Sequence, residues 1–479
     1  MKIHCVGPGS IGSLLSFHLH PISPVTLLLR RRQPQHRRSS PTLSIQIERE
    51  HKTRIATGLE YELLNEQKQQ PIDSLLVTTK SPHVLQSLLL LRHRLSSYST
   101  VVLLHNGLGV MEELIDKCFQ DPASRPSFLL AITSHGVHRL DRGSADLPTA
   151  SHGRFCHAGI GDIRFGVLPN ESVINCLKRL SAQTSSTEDP TYSSPSTSLN
   201  LSYKHNPILN PKATTKPNLE NHLPYIYPET QSLYDTISCL LEPTIVQNLN
   251  TKWVSMADLQ TAALIKLAVN AAINPISALL ETRNEAFHKN PLFSELSALV
   301  CEEASSVFEA QSGQPLRPHH LLSASNLQRV VKDIVWGTGS NISSMCNDMR
   351  ILSSNHFSPP NTLSKLNISR ISNSKPPLKN PDPTTHLQNS ELERHDSTEI
   401  DYINGYICRL GAQFGIKTNV NETLMNLVKL KAKMIKSAKV LPSLQKPHRK
   451  LKIDWSNSDD TKKGTSITRS EAHNDVSKL

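Results

Sequence analysis

Along the first 170 residues, short apolar runs alternate with polar helical stretches, the signature of βαβ units and a parallel sheet. The runs predict strands at Ile3 to Val6, Val25 to Leu29, Ser44 to Ile47, Ser74 to Thr78, Val101 to Leu104 and Phe128 to Ile132. Periodicity then stops. From Thr184 to Glu229 the chain is rich in Ser, Thr, Pro and Asn, which predicts a disordered insertion. A helical period returns from about Ser232 to Arg350, with apolar stripes such as ELSALVCEEASSVFEA. A second polar, Pro-containing stretch runs from Ser353 to His395, and the helical pattern resumes from Thr398 to about Ala438. The remainder is charged and has no hydrophobic face. These patterns predict an α/β chain: a Rossmann-type dinucleotide-binding domain (1–183), an insertion (184–229), an all-α domain in two parts (230–352 and 396–440) around a second insertion (353–395), and a disordered basic tail (441–479).

Composition agrees that part of the chain is unpacked. Hydrophobic residues make up only 37%, and 31 prolines stand against 19 glycines. The formal charge of +11 invites a nucleic-acid reading, but the basic residues gather at Arg30 to Arg38 and from Lys429 to Lys463, as in a solvated cluster and tail. Nucleic acid is therefore not the expected partner. Eight scattered cysteines, without a CxxC pair or a His/Cys group at metal spacing, predict a reducing compartment and no metal. We expect no stretch long and apolar enough for a membrane span. MKIHCVG already reads as a buried strand, so no cleavable presequence is expected ahead of it. The cytosol is the expected location, with the mitochondrion as alternative.

Gly7, Gly9 and Gly12 form G-P-G-S-I-G directly after the first strand, with Ser10 and Ile11 opening the following helical run. Alone, G-x-G-x-x-G is a weak signal. Between a strand and a helix it predicts a tight turn, a close backbone approach to a pyrophosphate and a helix N-terminus aimed at the anion. The second strand ends at Arg30. An acidic residue there would accept from the ribose 2′-hydroxyl of NAD, whereas an arginine pairs with a 2′-phosphate, so the expected cofactor is NADP(H). For Arg31, Arg32, Arg37 and Arg38 a surface basic cluster explains the same residues. Lys80 and Asn106 follow two further strands, where ligands bind in open α/β sheets.

Lys266, Asn270 and Asn274 recur at four-residue intervals inside LIKLAVNAAINP. A helix would put one ammonium and two amides on one stripe of an apolar wall. A buried lysine must be paired or must shift its pKa downward, and either condition suits a proton donor. A snorkelling lysine on an ordinary amphipathic helix would give the same spacing. Ser344 and Glu399 are further polar candidates; a helix cap and an exposed helix-start carboxylate are the plainer explanations for them.

The chain resembles the ketopantoate reductase (2-dehydropantoate 2-reductase) family. The resemblance is carried, in chain order, by MKIHCVGPGSIG, the Arg30 strand end, VTTK, LLHNGLGVMEEL, TSHGVHR, HAGIGDIRFG, KLAVNAAINPISAL, SSMCNDMR and TEIDYINGY. It implies NADPH-dependent reduction of a 2-oxo acid, with an all-α domain of the 6-phosphogluconate dehydrogenase C-terminal type. By this resemblance Lys266 is the general acid, and Glu399 the acidic partner that contacts substrate and helps to set it. Asn270 and Asn274 hold the substrate hydroxyl, Ser344 its carboxylate, and Asn106 and Lys80 belong to the cofactor and substrate junction. Asn284 matches a further substrate-binding position, although Glu285 follows it where the family usually has glycine. The second insertion separates Ser344 from Glu399, which the family keeps close in sequence. A homodimer stays open. Two rivals remain: a reductase of another branched 2-oxo acid, and a reductase-like scaffold associated with RNA.

Overall fold

A computed structural model of the chain describes residues 1–30, 42–64, 68–140, 151–185, 227–317, 319–354 and 398–437. Arg31, Arg32, Arg37 and Arg38, nearly all of both expected insertions and the basic tail lie outside these residues. The described residues up to Lys436 belong to one compact unit.

Eleven strands form one sheet: β1 (Ile3–Val6), β2 (Val25–Leu29), β3 (Thr42–Arg49), β4 (Lys52–Leu63), β5 (Ser74–Val77), β6 (Thr100–Leu104), β7 (Ser127–Thr133), β8 (Gly136–Arg139), β9 (Ser151–Gly159), β10 (Ile163–Leu168) and β11 (Thr251–Trp253). Their order is β11-β10-β7-β6-β5-β1-β2-β4-β3-β9-β8. β1, β2, β5 and β6 are buried on both faces, which is why they read as unbroken apolar runs rather than alternating ones. One face is covered by the helices Ser10–Leu19, Pro228–Leu240 and Pro243–Leu249, through Leu14, Leu15, Leu233, Ile237 and Ile245. The other is covered by Val84–Leu91 and Val110–Lys117, through Val84, Leu88, Val110 and Leu114.

The sheet departs from the expected all-parallel arrangement. β4-β2-β1-β5-β6-β7 are parallel, but β3 with β4, β8 with β9 and β7 with β10 are antiparallel. The β3–β4 connection is a two-residue hairpin in which Glu50 and His51 both take left-handed backbone angles. Such a turn matches the twist of its strands and needs no crossover helix. The expected start of the helical domain at residue 230 also differs from the packing: residues 228–253 join the core of the sheet, with Trp253 in β11 and β11 paired to β10.

The helical half is built around Met256–Leu280. Ser255 caps this helix, accepting from the Asp258 amide at 3.1 Å; such a cap contributes about 1 kcal/mol. Leu267, Ala268, Ala271, Ala272 and Ile273 pack against Val300, Val307, Phe308, Val331, Met349 and Ile407 from the surrounding helices. Contrary to the expectation that no such stretch exists, this helix is long and apolar enough to cross a membrane. Its most apolar window is 67% buried inside the protein, as befits the central helix of a helical core.

Candidate active site

β1, β5, β6 and β7 run parallel, so their carboxyl ends open on one edge of the sheet. The end of β1 carries the glycine loop, that of β5 Lys80 and Ser81, that of β6 His105 and Asn106, and that of β7 Thr133. Lys266 comes to this edge from the Met256–Leu280 helix. Its Nζ donates to the Asn106 side-chain oxygen at 3.0 Å and to the Thr133 carbonyl at 2.9 Å. The nitrogen of the same Asn106 amide donates to Glu399 Oε2 at 3.0 Å. Glu399 Oε1 accepts from the Ser81 amide at 3.2 Å and has the Ser81 hydroxyl 3.3 Å away. One amide thus joins ammonium to carboxylate.

Burial sets the charges of this group. It pulls the Lys266 ammonium down to about 8, with the Glu399 and Asp162 carboxylates acting in the opposite direction. It pushes Glu399 above the usual carboxylate range against the hydrogen bonds from Asn106 and Ser81. It pulls His105 down to about 4, so that imidazole is neutral near pH 7. A lysine near 8 exchanges its proton readily at neutral pH.

Glu399 is secured on both sides. It opens a short 3₁₀ turn, Glu399–Tyr402, whose Tyr402 carbonyl accepts from the Leu108 amide at 2.9 Å. Gly107 makes this approach feasible: at φ +79° it has no Cβ, and one would lie 2.4 Å from the Tyr402 carbonyl oxygen. Asn404, fully buried, donates to the Ala271 carbonyl on the Lys266 helix at 3.1 Å. These contacts set Glu399 beside Asn106 whatever chain precedes it.

Asn270 lines a small cavity with Asn106, Ile132, Ala263, Lys266 and Leu267. Asn274 lies one turn further along and is buried. A larger cavity of about 380 Å³ opens elsewhere on the helical half, between Phe287, His288, Phe293, Lys332 and Trp336, and includes none of these groups. Lys80 forms an ion pair with Asp348 at 2.6 Å. Ser344 is exposed at the start of the helix Ser344–Ser354, while the neighbouring Ser343 caps it by accepting from the Cys346 amide at 3.1 Å. Asn284 is buried and its amide nitrogen donates to the Thr338 hydroxyl at 2.8 Å, which ties it to the 338–341 loop.

The glycine loop suits a bound phosphate. The helix Ser10–Leu19 has no side-chain cap and no acidic residue in its first turn. A Cβ on Gly9 would have only the Gly7 carbonyl oxygen near it, at 3.8 Å, so the loop backbone is open there. Gly7, at φ +77°, is pressed against Thr79, and Gly12 against Thr78. The Thr78 hydroxyl donates to the Gly7 carbonyl at 2.8 Å, and His152 Nε2 to the Pro8 carbonyl at 2.7 Å. Arg30 stands exposed just past β2.

Ser81, Thr133 and Asp348 escaped the sequence reading, although each had a signal. Ser81 adjoins Lys80, Thr133 directly follows a predicted strand, and Asp348 lies four positions after Ser344, on the same face of one helix. His152 had none, because its strand shows no clear period.

A Rossmann-type sheet, an all-helical second half and a lysine at their junction define an oxidoreductase acting on CH–OH groups. The match to the family described as ketopantoate reductase PanE/ApbA covers residues 3–170, and that to its C-terminal domain covers residues 258–354 and 370–432. The chain belongs to the ketopantoate reductase family. It is 23% identical to a probable 2-dehydropantoate 2-reductase of Schizosaccharomyces pombe, over 89% of this chain and 95% of that one. It is equally 23% identical to the 2-dehydropantoate 2-reductase of Vibrio cholerae, over 90% and 97%. Among solved structures, D-mandelate dehydrogenase with NADH and anilino(oxo)acetate superposes with a TM-score of 0.54 at 17% identity, over 91% of this chain and 100% of that one, a likeness of fold.

Proposed function

We propose that the protein reduces 2-dehydropantoate to (R)-pantoate with NADPH, a step of pantothenate and coenzyme A biosynthesis. The observation that carries this reading is the Asn106 amide bonded to Lys266 on one side and Glu399 on the other, at the carboxyl edge of the sheet. The open Gly7–Gly12 loop, with Ser10 and Ile11 at the helix start, would hold the pyrophosphate. Arg30 would pair with the 2′-phosphate, and Lys80 with Asn106 would lie at the junction of cofactor and substrate. The nicotinamide supplies the hydride when bound.

Lys266 holds the proton that the carbonyl oxygen needs. As that oxygen gains negative charge, an ammonium beside it is attracted more strongly than in the ground state, and proton transfer leaves a neutral alcohol. Asn106 fixes the direction of Nζ, and Glu399 sustains the charge of Lys266 through it. Asn270 and Asn274 would take the substrate hydroxyl and Ser344 its carboxylate; Asn284 would support the wall from the 338–341 loop. All eight cysteines are free thiols, which suits the reducing cytosol we assign to the protein.

The test is NADPH oxidation with 2-dehydropantoate, beside 2-oxoisovalerate, for the wild type and Lys266→Ala. We expect turnover of 2-dehydropantoate that the alanine variant loses by at least about a hundredfold. An unchanged rate in the variant would remove Lys266 as the acid. Preference for 2-oxoisovalerate would move the substrate to another branched 2-oxo acid. Salt-dependent RNA affinity without turnover of either would favour the scaffold.

A further inference from the structure

Besides Glu399, a second carboxylate, that of Asp162, acts on Lys266. Its Nζ rests on the Thr133 carbonyl, and the residue after Thr133 is clamped to Asp162. The Ser134 amide donates to the Asp162 carbonyl at 2.9 Å, the Asp162 amide to the Ser134 hydroxyl at 2.8 Å, and that hydroxyl to Asp162 Oδ1 at 2.7 Å. Gly161 allows this closeness, because a Cβ there would lie 2.4 Å from Ser134 Oγ. Thr133 is itself paired with Ile163 across β7 and β10. The Asp162 carboxylate therefore has a fixed place relative to the carbonyl that receives the ammonium.

The charges facing this group are few. Arg164 Nε donates to Asp162 Oδ2 at 2.8 Å, and Lys252 Nζ lies 3.8 Å from the same oxygen. Asp162 is partly desolvated, yet Ser134 and Arg164 hold its carboxyl below the usual range, so it is ionised at neutral pH. Around Lys266 stand Glu399, bridged by Asn106, and the neutral His105. Nearer Asp162, His135 Nδ1 accepts from the Gly161 amide at 3.0 Å and lies 3.0 Å from His157 Nε2.

We propose that Asp162 is a positioning residue for Lys266: clamped to Ser134, the residue after the Thr133 carbonyl that receives the ammonium, it supplies a fixed negative charge that favours the protonated amine in addition to Glu399. The inference rests on the reading of Lys266 as proton donor. Asp162 contacts neither Lys266 nor the open cavity lined by Asn270, and acts through the field and the strand end. Its effect on Lys266 adds to that of Glu399 and opposes desolvation.

The experiment titrates Lys266 without turnover. Trace acetylation of the full-length protein by acetic anhydride across pH, with the Lys266 peptide quantified by mass spectrometry, gives the midpoint of that one amine. We expect about 8 for the wild type. Asp162→Asn, which keeps an acceptor for Ser134 but loses the charge, should lower the midpoint by roughly half a unit. Asp162→Glu should restore it, and Ser134→Ala, which keeps the charge, should move it less than Asp162→Asn does. A midpoint in Asp162→Asn equal to wild type overturns the inference, as does an equal fall in Ser134→Ala. Either result can occur while Lys266→Ala still abolishes turnover, so failure here is separable from failure of the proton-donor reading.

Discussion

Lys266 and Glu399 share one amide. Asn106 accepts from the ammonium at 3.0 Å and donates to the carboxylate at 3.0 Å, so the two charges are coupled without direct contact. The direction is fixed by chemistry, because an ammonium can only donate, so Asn106 turns its oxygen to Lys266 and its nitrogen to Glu399. The Asn106 amide has one orientation that serves both.

Replacing that amide should therefore uncouple the site. In Asn106→Ala the ammonium keeps the Thr133 carbonyl and Glu399 keeps Ser81, but neither senses the other through a bond. We predict a fall in kcat of about a hundredfold, equivalent to about 2.7 kcal/mol of transition-state stabilisation. Steady-state kinetics at saturating NADPH would measure it, and a kcat within threefold of wild type would mean that the bridge is not needed.

The lowered Lys266 gives two pH dependences of opposite sign. Reduction needs the protonated amine, so kcat/KM for the ketone should be flat below neutrality and fall tenfold per unit above about 8. Stability should behave otherwise. Between about 8 in the folded protein and the ordinary 10.5, the unfolded chain binds more protons than the folded one, so the contribution of Lys266 to stability rises with pH. Compared with Lys266→Met, the wild type should gain stability from pH 8 to pH 10.5. Denaturant unfolding of both proteins at several pH values would show a gap that closes or reverses in that direction; a constant gap would mean that the folded-state amine is not perturbed.

Much of this site was legible because its residues sit where period and topology coincide. Lys266 and Asn270 could be placed on one helical face by spacing alone, and Lys80 and Asn106 at strand ends because β5 and β6 are unbroken apolar runs. What escaped depends on partners distant in sequence or on atypical local signals. The β3–β4 hairpin turns on Glu50 and His51, which carry none of the usual Asn-Gly signal for two left-handed residues. Helices at 228–249 follow a helical period, but that period cannot say that they pack on the sheet. Asn284 has a polar side chain in a suitable place along the sequence, but its bond to Thr338, 54 positions away, could not be read from that spacing.

Lys80 and Asp348 meet at 2.6 Å although they are 268 positions apart. If Lys80 serves the junction only while this pair holds it, loss of either residue should have the same consequence. We predict that Lys80→Ala and Asp348→Ala each lower kcat/KM by about tenfold and that the double variant is hardly worse than the poorer single one. Multiplying losses in the cycle would instead assign Lys80 a contact independent of Asp348.

The glycine loop separates folding from binding residue by residue. Gly7→Ala must place a Cβ 2.6 Å from the Thr79 amide nitrogen at φ +77°, which should destabilise the fold by more than about 2 kcal/mol. Gly9→Ala meets nothing nearer than 3.8 Å. Its methyl group would instead occupy the open side of the loop, where a phosphate needs close backbone approach. We predict a thermal midpoint within about two degrees of wild type for Gly9→Ala, together with NADPH binding weakened at least about tenfold. Calorimetric titration of the folded variant with NADPH reads this directly. Binding as tight as in the wild type would mean that the cofactor phosphates do not approach the loop at Gly9.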